Sequence, residues 1–427
     1  MAVDTTTFLA DFKTVYGAIQ NQVSRLAAFM NLLGDGTKFG KPENRIGARG
    51  YTFLAALGPN WNMGYRKEGT GGVGNAGNQN LVQSSVFLKY AYVPIVVTGQ
   101  AENLSRGDER AFMQAKALEA KFDMKDIVSH ANVVMVGAER GGQLAQTTAA
   151  AAGTLTCSTA GNLPGALYLR VGMLIDCGPV GGGANSVTGA TITAIDYATG
   201  VVTHNGGAAN VGDAVYLSGE APQVVGDFPI TAEGLISLVS DAGAVQGIDP
   251  GVAGQQGWES YLQDAGAVQI SPQLILQLKQ FVRNRGGSEV DLFYFPSAQV
   301  NQLVGIATTT LRFDVGAGKS VGKRALDLGF DTYEFAGTAI VEDKDARQDR
   351  IYALASDMWK KFEAVPLSMA EDEAGVWTRM SGANGVADAT QGLLRWYHQL
   401  GTLQRSAAGV LKNLTVPANF SSAAPTL

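Results

Sequence analysis

The sequence is poor in charged residues. Asp, Glu, Lys and Arg together make up 16% of its 427 residues, whereas a typical soluble domain has about 25%. A surface that faces water over its whole area usually carries more charge, so this low proportion indicates that neighbouring subunits cover part of the chain. The formal net charge is −6, which argues against a protein that condenses nucleic acid by neutralising phosphates.

Cysteine, histidine and long apolar runs are also scarce. The two cysteines, Cys157 and Cys177, cannot form a disulfide framework, and we expect two free thiols in a reducing cytoplasm. The three histidines, His130, His204 and His398, have neither the mutual spacing nor the paired cysteines of a zinc site. No run reaches the ~18 apolar residues of a membrane helix, and the start of the chain lacks the pattern of a signal peptide.

One segment resembles the end of a nucleotide-binding loop. Gly318-Lys319-Ser320 matches the last part of the phosphate-binding motif, but the glycine required five residues earlier is replaced by Phe313. Asp343, at the end of an apolar run, could imitate a magnesium ligand. Glycines after Ser320 interrupt the helix whose N-terminus would hold the phosphate. A P-loop-like NTP-binding enzyme is therefore only an alternative reading, and we predict no catalytic residue, cofactor or metal ligand.

Apolar spacing predicts two helices in the first third of the chain. Apolar residues recur every three or four positions over 5–33, which predicts an amphipathic helical arm. A second helix is predicted over 105–136, from a capping sequence at Ser105 to a stop at Gly137. At 1.5 Å per residue this helix would be ~45 Å long, which is unusual for a globular protein.

Residues 50–99, between the two helices, predict a long hairpin. Trp61, Met63 and Tyr65 alternate with polar or glycine residues, and a second extended run passes through 86–93. The intervening segment 69–77 contains five glycines. Such a tip has few side chains to bury, so we expect it to need a partner to become ordered.

The remainder of the chain consists mainly of short β-rich runs. Residues 153–235 are sparse in charge and predict a small inserted β-barrel or sandwich. A helix is predicted to begin at Ser271-Pro272 and to end at Gly286. The predicted strands are 167–171, 191–195 and 201–204 in the insertion, then 290–295, 333–341, 350–354 and a late strand around Trp396.

This order of elements, together with several short motifs, resembles the major capsid proteins of tailed bacteriophages, the Hong Kong 97 type. The motifs that carry the resemblance are VVTGQA at 96–101, GAERGGQLA at 137–145, GID at 247–249, DLFYFP at 291–296, GTAIV at 337–341 and DRIY at 349–352. The resemblance covers nearly the whole chain. The insertion at 153–235 is a departure from the usual pattern.

The resemblance implies an α+β capsid fold with six parts. These are an N-terminal helical arm (1–49), an E-loop hairpin (50–100), a peripheral domain with a long spine helix (101–152), an inserted β-rich domain (153–235), an axial domain (236–330) and the return strands of the peripheral and axial domains (331–427).

The implied function is structural. Such a subunit assembles with copies of itself into the pentamers and hexamers of an icosahedral shell, in the cytoplasm of a bacterial host, and becomes part of the virion. The shell encloses double-stranded DNA without binding it specifically. The expected partners are a portal, a separate scaffold protein and possible decoration proteins, with no membrane. An encapsulin-like nanocompartment is an alternative with the same fold, although its subunits are usually much shorter.

The resemblance also implies that the E-loop lies over a neighbouring subunit. Trp61, Met63 and Tyr65 are the candidate buried anchors, although they could instead pack on the hairpin's own domain. Some capsids cross-link a lysine of this loop, but the charges that flank Lys67 predict a solvated amine and therefore non-covalent contacts. The predicted inter-subunit contact residues are Trp61, Met63, Tyr65, Arg66, Lys67 and Glu68.

Overall fold

The computed structural model describes residues 34–35, 50–58, 78–98, 109–159, 163–225, 229–310, 332–371, 375–382 and 385–417. The predicted arm helix over 5–33 and the glycine-rich segment 69–77 lie outside the described residues. The predicted α+β class is confirmed: one long helix and several short ones accompany two mixed sheets, a hairpin and a closed barrel.

The strands and helices have the following bounds. The strands are β1 (Gly34–Asp35), β2 (Gly50–Gly58), β3 (Asn80–Phe87), β4 (Lys89–Thr98), β5 (Ala145–Ala151), β6 (Thr154–Cys157), β7 (Leu174–Gly178), β8 (Val187–Asp196), β9 (Val201–His204), β10 (Ala214–Leu217), β11 (Tyr261–Val268), β12 (Leu292–Pro296), β13 (Thr332–Phe335), β14 (Thr338–Asp343), β15 (Ile351–Leu354), β16 (Trp359–Met369), β17 (Thr378–Gly382), β18 (Gly385–Thr402) and β19 (Ala408–Leu414). The helices are α1 (Glu109–Val136), α2 (Leu235–Leu238), α3 (Pro272–Gly286) and α4 (Ser297–Thr310).

Helix α1 runs unbroken for 28 residues, as its apolar spacing predicts. Met124, Val128 and Met135 lie on one side of the helix and are fully buried in the largest core cluster. The helix ends at Val136 and is followed by Gly137, where a Cβ atom would lie 2.3 Å from the Asp345 carbonyl oxygen. The exit from the helix is therefore packed too closely for any residue but glycine.

Helix α1 packs against a sheet with β18 at its centre. β4 pairs antiparallel with one edge of β18, while β16 and β17 pair with the other edge, and β1 joins β16 in parallel. Leu394, Trp396 and Leu400 are buried in the core that includes α1. The late strand predicted around Trp396 is confirmed.

The second sheet is mixed, with the order β11-β19-β15-β12-β14-β13. Helix α3 covers it, beginning where the Ser271 hydroxyl accepts a hydrogen bond from the Leu274 N–H at 3.3 Å, with Pro272 as the first helical residue. The prediction of one strand over 333–341 is wrong. Ala336 and Gly337 both have positive φ angles, 50° and 74°, and form a tight turn that separates β13 from β14.

The inserted segment forms a closed barrel with the strand order β10-β5-β6-β9-β8-β7. The strand predicted over 167–171 is wrong, because 164–173 makes a succession of tight turns in which the Arg170 side chain donates to the Leu167 and Leu169 carbonyls. The other two predicted barrel strands lie within β8 and β9.

The predicted limits of the inserted domain, 153–235, stay a prediction. Two features of the structure bear on them. Strand β5 begins at Ala145, before the predicted range of 153–235. Ala232 and Leu235 fall inside that range, yet they are buried in the same core as α1.

Candidate subunit-contact site

The described part of the hairpin is its stem, β2 and β3. Tyr51 and Val86 face the body of the protein and are buried together with Phe362 of β16. The Tyr51 and Phe362 rings lie 5.3 Å apart between their centroids, and the Phe53 ring stacks on Phe362 at 6.3 Å. Aromatic contacts of this kind fix the near end of the stem to the sheet.

A second contact holds the far half of the stem. Ala55 is buried with Trp258 and Ile248, two residues from the segment that precedes β11. Nearer the base of the stem, the Ser85 N–H donates to the Gln246 carbonyl at 2.9 Å. The inner face of the stem therefore packs on its own subunit at both ends, with Phe53, Leu57 and Val82 partly buried.

The outer face of the stem carries three large exposed apolar side chains among the polar Thr52, Gln83 and Ser85. Leu54, Leu81 and Phe87 lie on the same side of the two-stranded ribbon, as the register Leu54–Gln83, Ala56–Leu81 and Gly50–Phe87 requires. Their exposed fractions are 69%, 50% and 53%. Three large apolar side chains aligned on one solvent-facing strip are typical of a contact surface.

The sequence contains a signal for this face that alternation alone does not reveal. The β2 run Tyr-Thr-Phe-Leu-Ala-Ala-Leu at 51–57 is apolar at both even and odd positions. Such a continuous run is typical of a strand that is covered on both faces. The described residues of one subunit supply only one of those covers.

A second exposed strip lies on the central sheet, on the face opposite α1. Tyr90 packs edge-on against Tyr397 with a centroid distance of 4.9 Å, and the Tyr92 and Tyr397 hydroxyls are 3.1 Å apart. Tyr90, Tyr92 and Val96 are each about half exposed. Val86 and Leu88, which the sequence places in the same run, are buried instead, because β3 pairs with β2 whereas β4 pairs with β18.

The six predicted contact residues lie outside the described residues. Gly58 pairs with Asn80 at the far end of the stem, so these residues belong to the segment that connects the two strands there. Their roles stay a prediction. The segment that contains Gly318-Lys319-Ser320 is likewise outside the described residues.

A buried polar cluster occupies the junction of α1 with the second sheet. The Asn132 amide donates to the carboxylates of Asp343 and Asp345, at 2.9 Å and 3.0 Å, and the Tyr294 hydroxyl also donates to Asp343. Burial, and then the nearby Asp343 charge, raise the pKa of Asp345. Asp343 thus accepts hydrogen bonds from protein groups, and nothing in this arrangement favours its role as a magnesium ligand.

An ion-pair network extends this junction. Arg347 is almost completely buried and pairs with both Glu139 and Asp349, while Asp349 also accepts two hydrogen bonds from Arg350 at 3.0 Å and 3.1 Å. The Tyr168 hydroxyl of the barrel donates to the Asp345 carbonyl at 3.1 Å. The network therefore joins the exit of α1, the turn after β14 and the barrel.

The cysteines and histidines are placed in the interior. Both cysteines are free and buried in the barrel core, as predicted, and burial raises the pKa of each thiol to about 12. His130 contacts both carboxylate oxygens of Glu220 at 2.8 Å and 2.9 Å. His398 stacks on Trp396, and burial, aided by the Lys361 charge, lowers the pKa of His398 to about 3.

Within the described ranges, no three His, Cys, Asp or Glu side chains are grouped as metal ligands. No helix among the described residues is long and apolar enough to cross a membrane.

A long helix crossing a sheet, a hairpin projecting beside it, a mixed sheet covered by short helices and an inserted barrel together define a capsid-type α+β fold. A solved structure agrees with this assignment. The chain is similar to the capsid of cyanophage A-1(L), with 12% identity, a TM-score of 0.50, and coverage of 86% of this chain and 88% of that chain. The fold is that of the tailed-phage capsid proteins of the Hong Kong 97 type, as predicted.

Two further structures have lower scores. The capsid of the Myoviridae phage XM1 has 10% identity and a TM-score of 0.41 over 91% of this chain and 92% of that one. The SrpI encapsulin from Synechococcus elongatus has 9% identity and a TM-score of 0.38 over 79% and 78%. The sequence matches no protein-family description and no curated protein.

Proposed function

We propose that this chain is a capsid shell subunit that assembles with copies of itself into the pentamers and hexamers of an icosahedral shell around double-stranded DNA. The observation that carries the proposal is the uncovered apolar strip of the stem, Leu54, Leu81 and Phe87, on a hairpin whose other face is already packed. A neighbouring subunit that lies across this strip would remove it from water.

The low charge content supports the same proposal. A subunit that loses part of its surface to neighbours needs fewer charged residues than a free monomer. The net charge of −6 would keep the shell wall from binding DNA as the DNA enters. The protein acts in this proposal by assembly and catalyses no reaction. Portal, scaffold and decoration proteins remain the proposed partners, and the bacterial cytoplasm the proposed place of assembly.

The segment that joins β2 to β3 extends the proposed contact. Trp61, Met63 and Tyr65 would continue the apolar strip toward the neighbour, and Arg66, Lys67 and Glu68 would lie at its solvated rim. In this arrangement the hairpin of one subunit supplies the apolar side chains, and the next subunit supplies the surface against which they pack.

Substitution on the strip tests this proposal. Leu54→Glu places a carboxylate on a surface that assembly would bury, so we expect shell yield, measured by sedimentation and negative-stain microscopy, to fall at least about tenfold. The matched control is Val211→Glu, at a barrel position that is 70% exposed. Its shells should form normally. Normal assembly of Leu54→Glu, with circular dichroism unchanged in both variants, would contradict the proposed role of the hairpin.

An encapsulin-like compartment is the second candidate because the two share a fold. The content of native particles distinguishes them. Nuclease-protected double-stranded DNA is expected for a viral shell, whereas a co-purifying enzyme without protected DNA would favour the compartment.

A further inference from the structure

The barrel contains an Asn-Gly pair in an unusual setting. Asn205 follows β9, and its backbone N–H donates to the Thr191 carbonyl at 3.2 Å. The Asn205 side-chain Oδ1 accepts from the Thr191 N–H at 2.8 Å. The asparagine is exposed, yet its amide oxygen is held by a backbone donor, which polarises the Cγ–Oδ1 bond as an oxyanion donor would.

A histidine lies against the next peptide nitrogen. His204 is 3% exposed, and its Nδ1 accepts from the Gly206 N–H at 3.1 Å. Burial lowers the pKa of His204, which favours the neutral imidazole, and the Nδ1 lone pair already faces the Gly206 proton. Among the described residues its Nε2 has no hydrogen-bond partner.

Packing accounts for only part of this arrangement. A Cβ atom at position 206 would lie 2.7 Å from the Ala190 Cβ and 2.9 Å from the Val187 Cγ1, so glycine is required there. Packing alone would not favour a buried imidazole at this position. Burial of an imidazole without a partner for its second nitrogen costs free energy.

We propose that Asn205–Gly206 is a self-modification site, at which His204 acts as the base for succinimide formation. His204 Nδ1 takes the proton of the Gly206 N–H while the nitrogen forms a bond to the Asn205 Cγ, and the Thr191 N–H stabilises the oxyanion on Oδ1. The Cγ–Nδ2 bond then breaks, the imidazolium returns its proton to the leaving amine, and ammonia departs into solvent. Water then opens the imide. The net reaction consumes the side-chain amide of asparagine and one water molecule and gives a carboxylic acid and ammonia.

The two ring-opening products affect the barrel differently. An aspartyl residue at position 205 keeps an oxygen that can accept from the Thr191 N–H and adds one negative charge. An isoaspartyl residue lengthens the backbone by one carbon next to the β8–β9 pairing, where Ile192 is opposite His204. That product would weaken the pairing of these two strands.

The first test compares the folded and the unfolded chain. Purified protein is incubated at neutral pH with and without urea, and peptide mass spectrometry measures conversion of Asn205. The same dipeptide at 384–385, which has no histidine beside it in the sequence, is the internal control. Since a positioned general base contributes about 10²–10⁴-fold, we expect folding to accelerate conversion at 205 at least about tenfold relative to 384. Slower conversion at 205 in the folded chain than in urea would overturn the proposal.

The second test removes the base. His204→Gln keeps a neutral acceptor near the Gly206 N–H but cannot take its proton, so conversion at 205 should fall at least about tenfold while conversion at 384 is unchanged. Equal conversion in the two proteins, with the hydrogen-exchange protection of β8 and β9 preserved, would show that His204 is not the base. If the variant does not fold, the comparison of folded and unfolded wild-type chain still decides the proposal.

Discussion

The barrel and the body, by which we mean α1 and the two mixed sheets, are built on different principles. The barrel closes on itself, so that each of its strands has two neighbours, and its core comes from one stretch of chain between Ala138 and Val215. The body core gathers residues from Ile95 to Val410, and its second sheet contains the parallel pairs β12–β14 and β11–β19. The barrel is therefore a locally encoded module, whereas the body depends on contacts between distant segments.

The polar interior of the body also depends on residues that are distant in the chain. The body holds a fully buried Arg405 whose guanidinium donates to four backbone carbonyls, those of Ser237, Leu238, Ala242 and Gly243. These carbonyls belong to the segment that returns from the barrel. A long connection that carries buried carbonyls needs such a donor, because unpaired carbonyls in the interior are costly.

The largest expected effect comes from two deletions, one of the barrel alone and one that also removes part of the body core. Removing 146–216 and joining the ends should leave a folded body, because the Leu144 N–H already donates to the Val215 carbonyl at 2.9 Å and the ends lie side by side. Removing 155–235 should abolish soluble protein, since it also deletes Leu235 and Gly234, which pack against the end of α1. Hydrogen exchange in α1 measures the outcome. A folded product from the longer excision would show that the returning segment is not part of the body core.

Arg405→Ala should have the next largest effect. The substitution leaves buried carbonyls without their donor, and we expect the free energy of unfolding to fall by about 4 kcal/mol. Chemical denaturation followed by circular dichroism measures it. Arg285→Ala, which removes a partly exposed ion pair with Glu259, is the matched control and should cost less than about 1 kcal/mol. If the two variants lose similar amounts of unfolding free energy, Arg405 stabilises the body no more than a partly exposed ion pair does.

The contact between His130 of α1 and Glu220, just after the last barrel strand, predicts a pH dependence. Burial alone would lower the pKa of His130, but the charge and hydrogen bond of Glu220 outweigh burial and raise it above 6.5. The stabilisation is therefore complete below pH 6.5 and is lost as the pH rises through the raised pKa.

Thermodynamic comparison of wild type with His130→Gln checks this sign. We expect a difference of about 1–2 kcal/mol in the free energy of unfolding near pH 6, declining in alkaline solution. Glu220→Gln should remove the same pH-dependent part, because it removes the charge that raises the pKa. A difference that grows with rising pH would mean that His130 is neutral in the pair.

Tyr92→Phe should have the smallest effect. It removes the 3.1 Å contact with the Tyr397 hydroxyl, but Tyr92 is half exposed, so water replaces the lost partner. We expect a change below about 0.5 kcal/mol in the unfolding of the isolated subunit. A loss of several kcal/mol would indicate that this strip is part of the body core rather than a surface.

The sequence was most informative where local chemistry decides structure. Helix α3 begins at a serine followed by proline and is followed by Gly287 in the left-handed conformation, at φ 67°, and all three residues are visible in the sequence. Helix α1 and the late strand follow from long periodic patterns. The strand predicted over 333–341 failed because the apolar run outweighed the turn signal of Gly337 within it, and Ala336 gives no local sign of its positive φ angle.

The candidate contact site was less predictable. Trp61, Met63 and Tyr65 were selected from alternation and resemblance, whereas Leu54, Leu81 and Phe87 emerged from the register of β2 and β3. Alternation reports which side chains share a face, but it does not report which face the body covers. That depends on Phe362 and Trp258, which lie about 200 to 310 residues away in the chain, and no local pattern contains such information.

The most direct test is electron cryomicroscopy of the particles that the purified chain forms. The proposed function predicts closed polyhedral shells in which a neighbouring subunit covers the stem strip of Leu54, Leu81 and Phe87. Particles in which this strip faces solvent, or a chain that remains monomeric across the concentrations and salt conditions that drive subunit association, would contradict it.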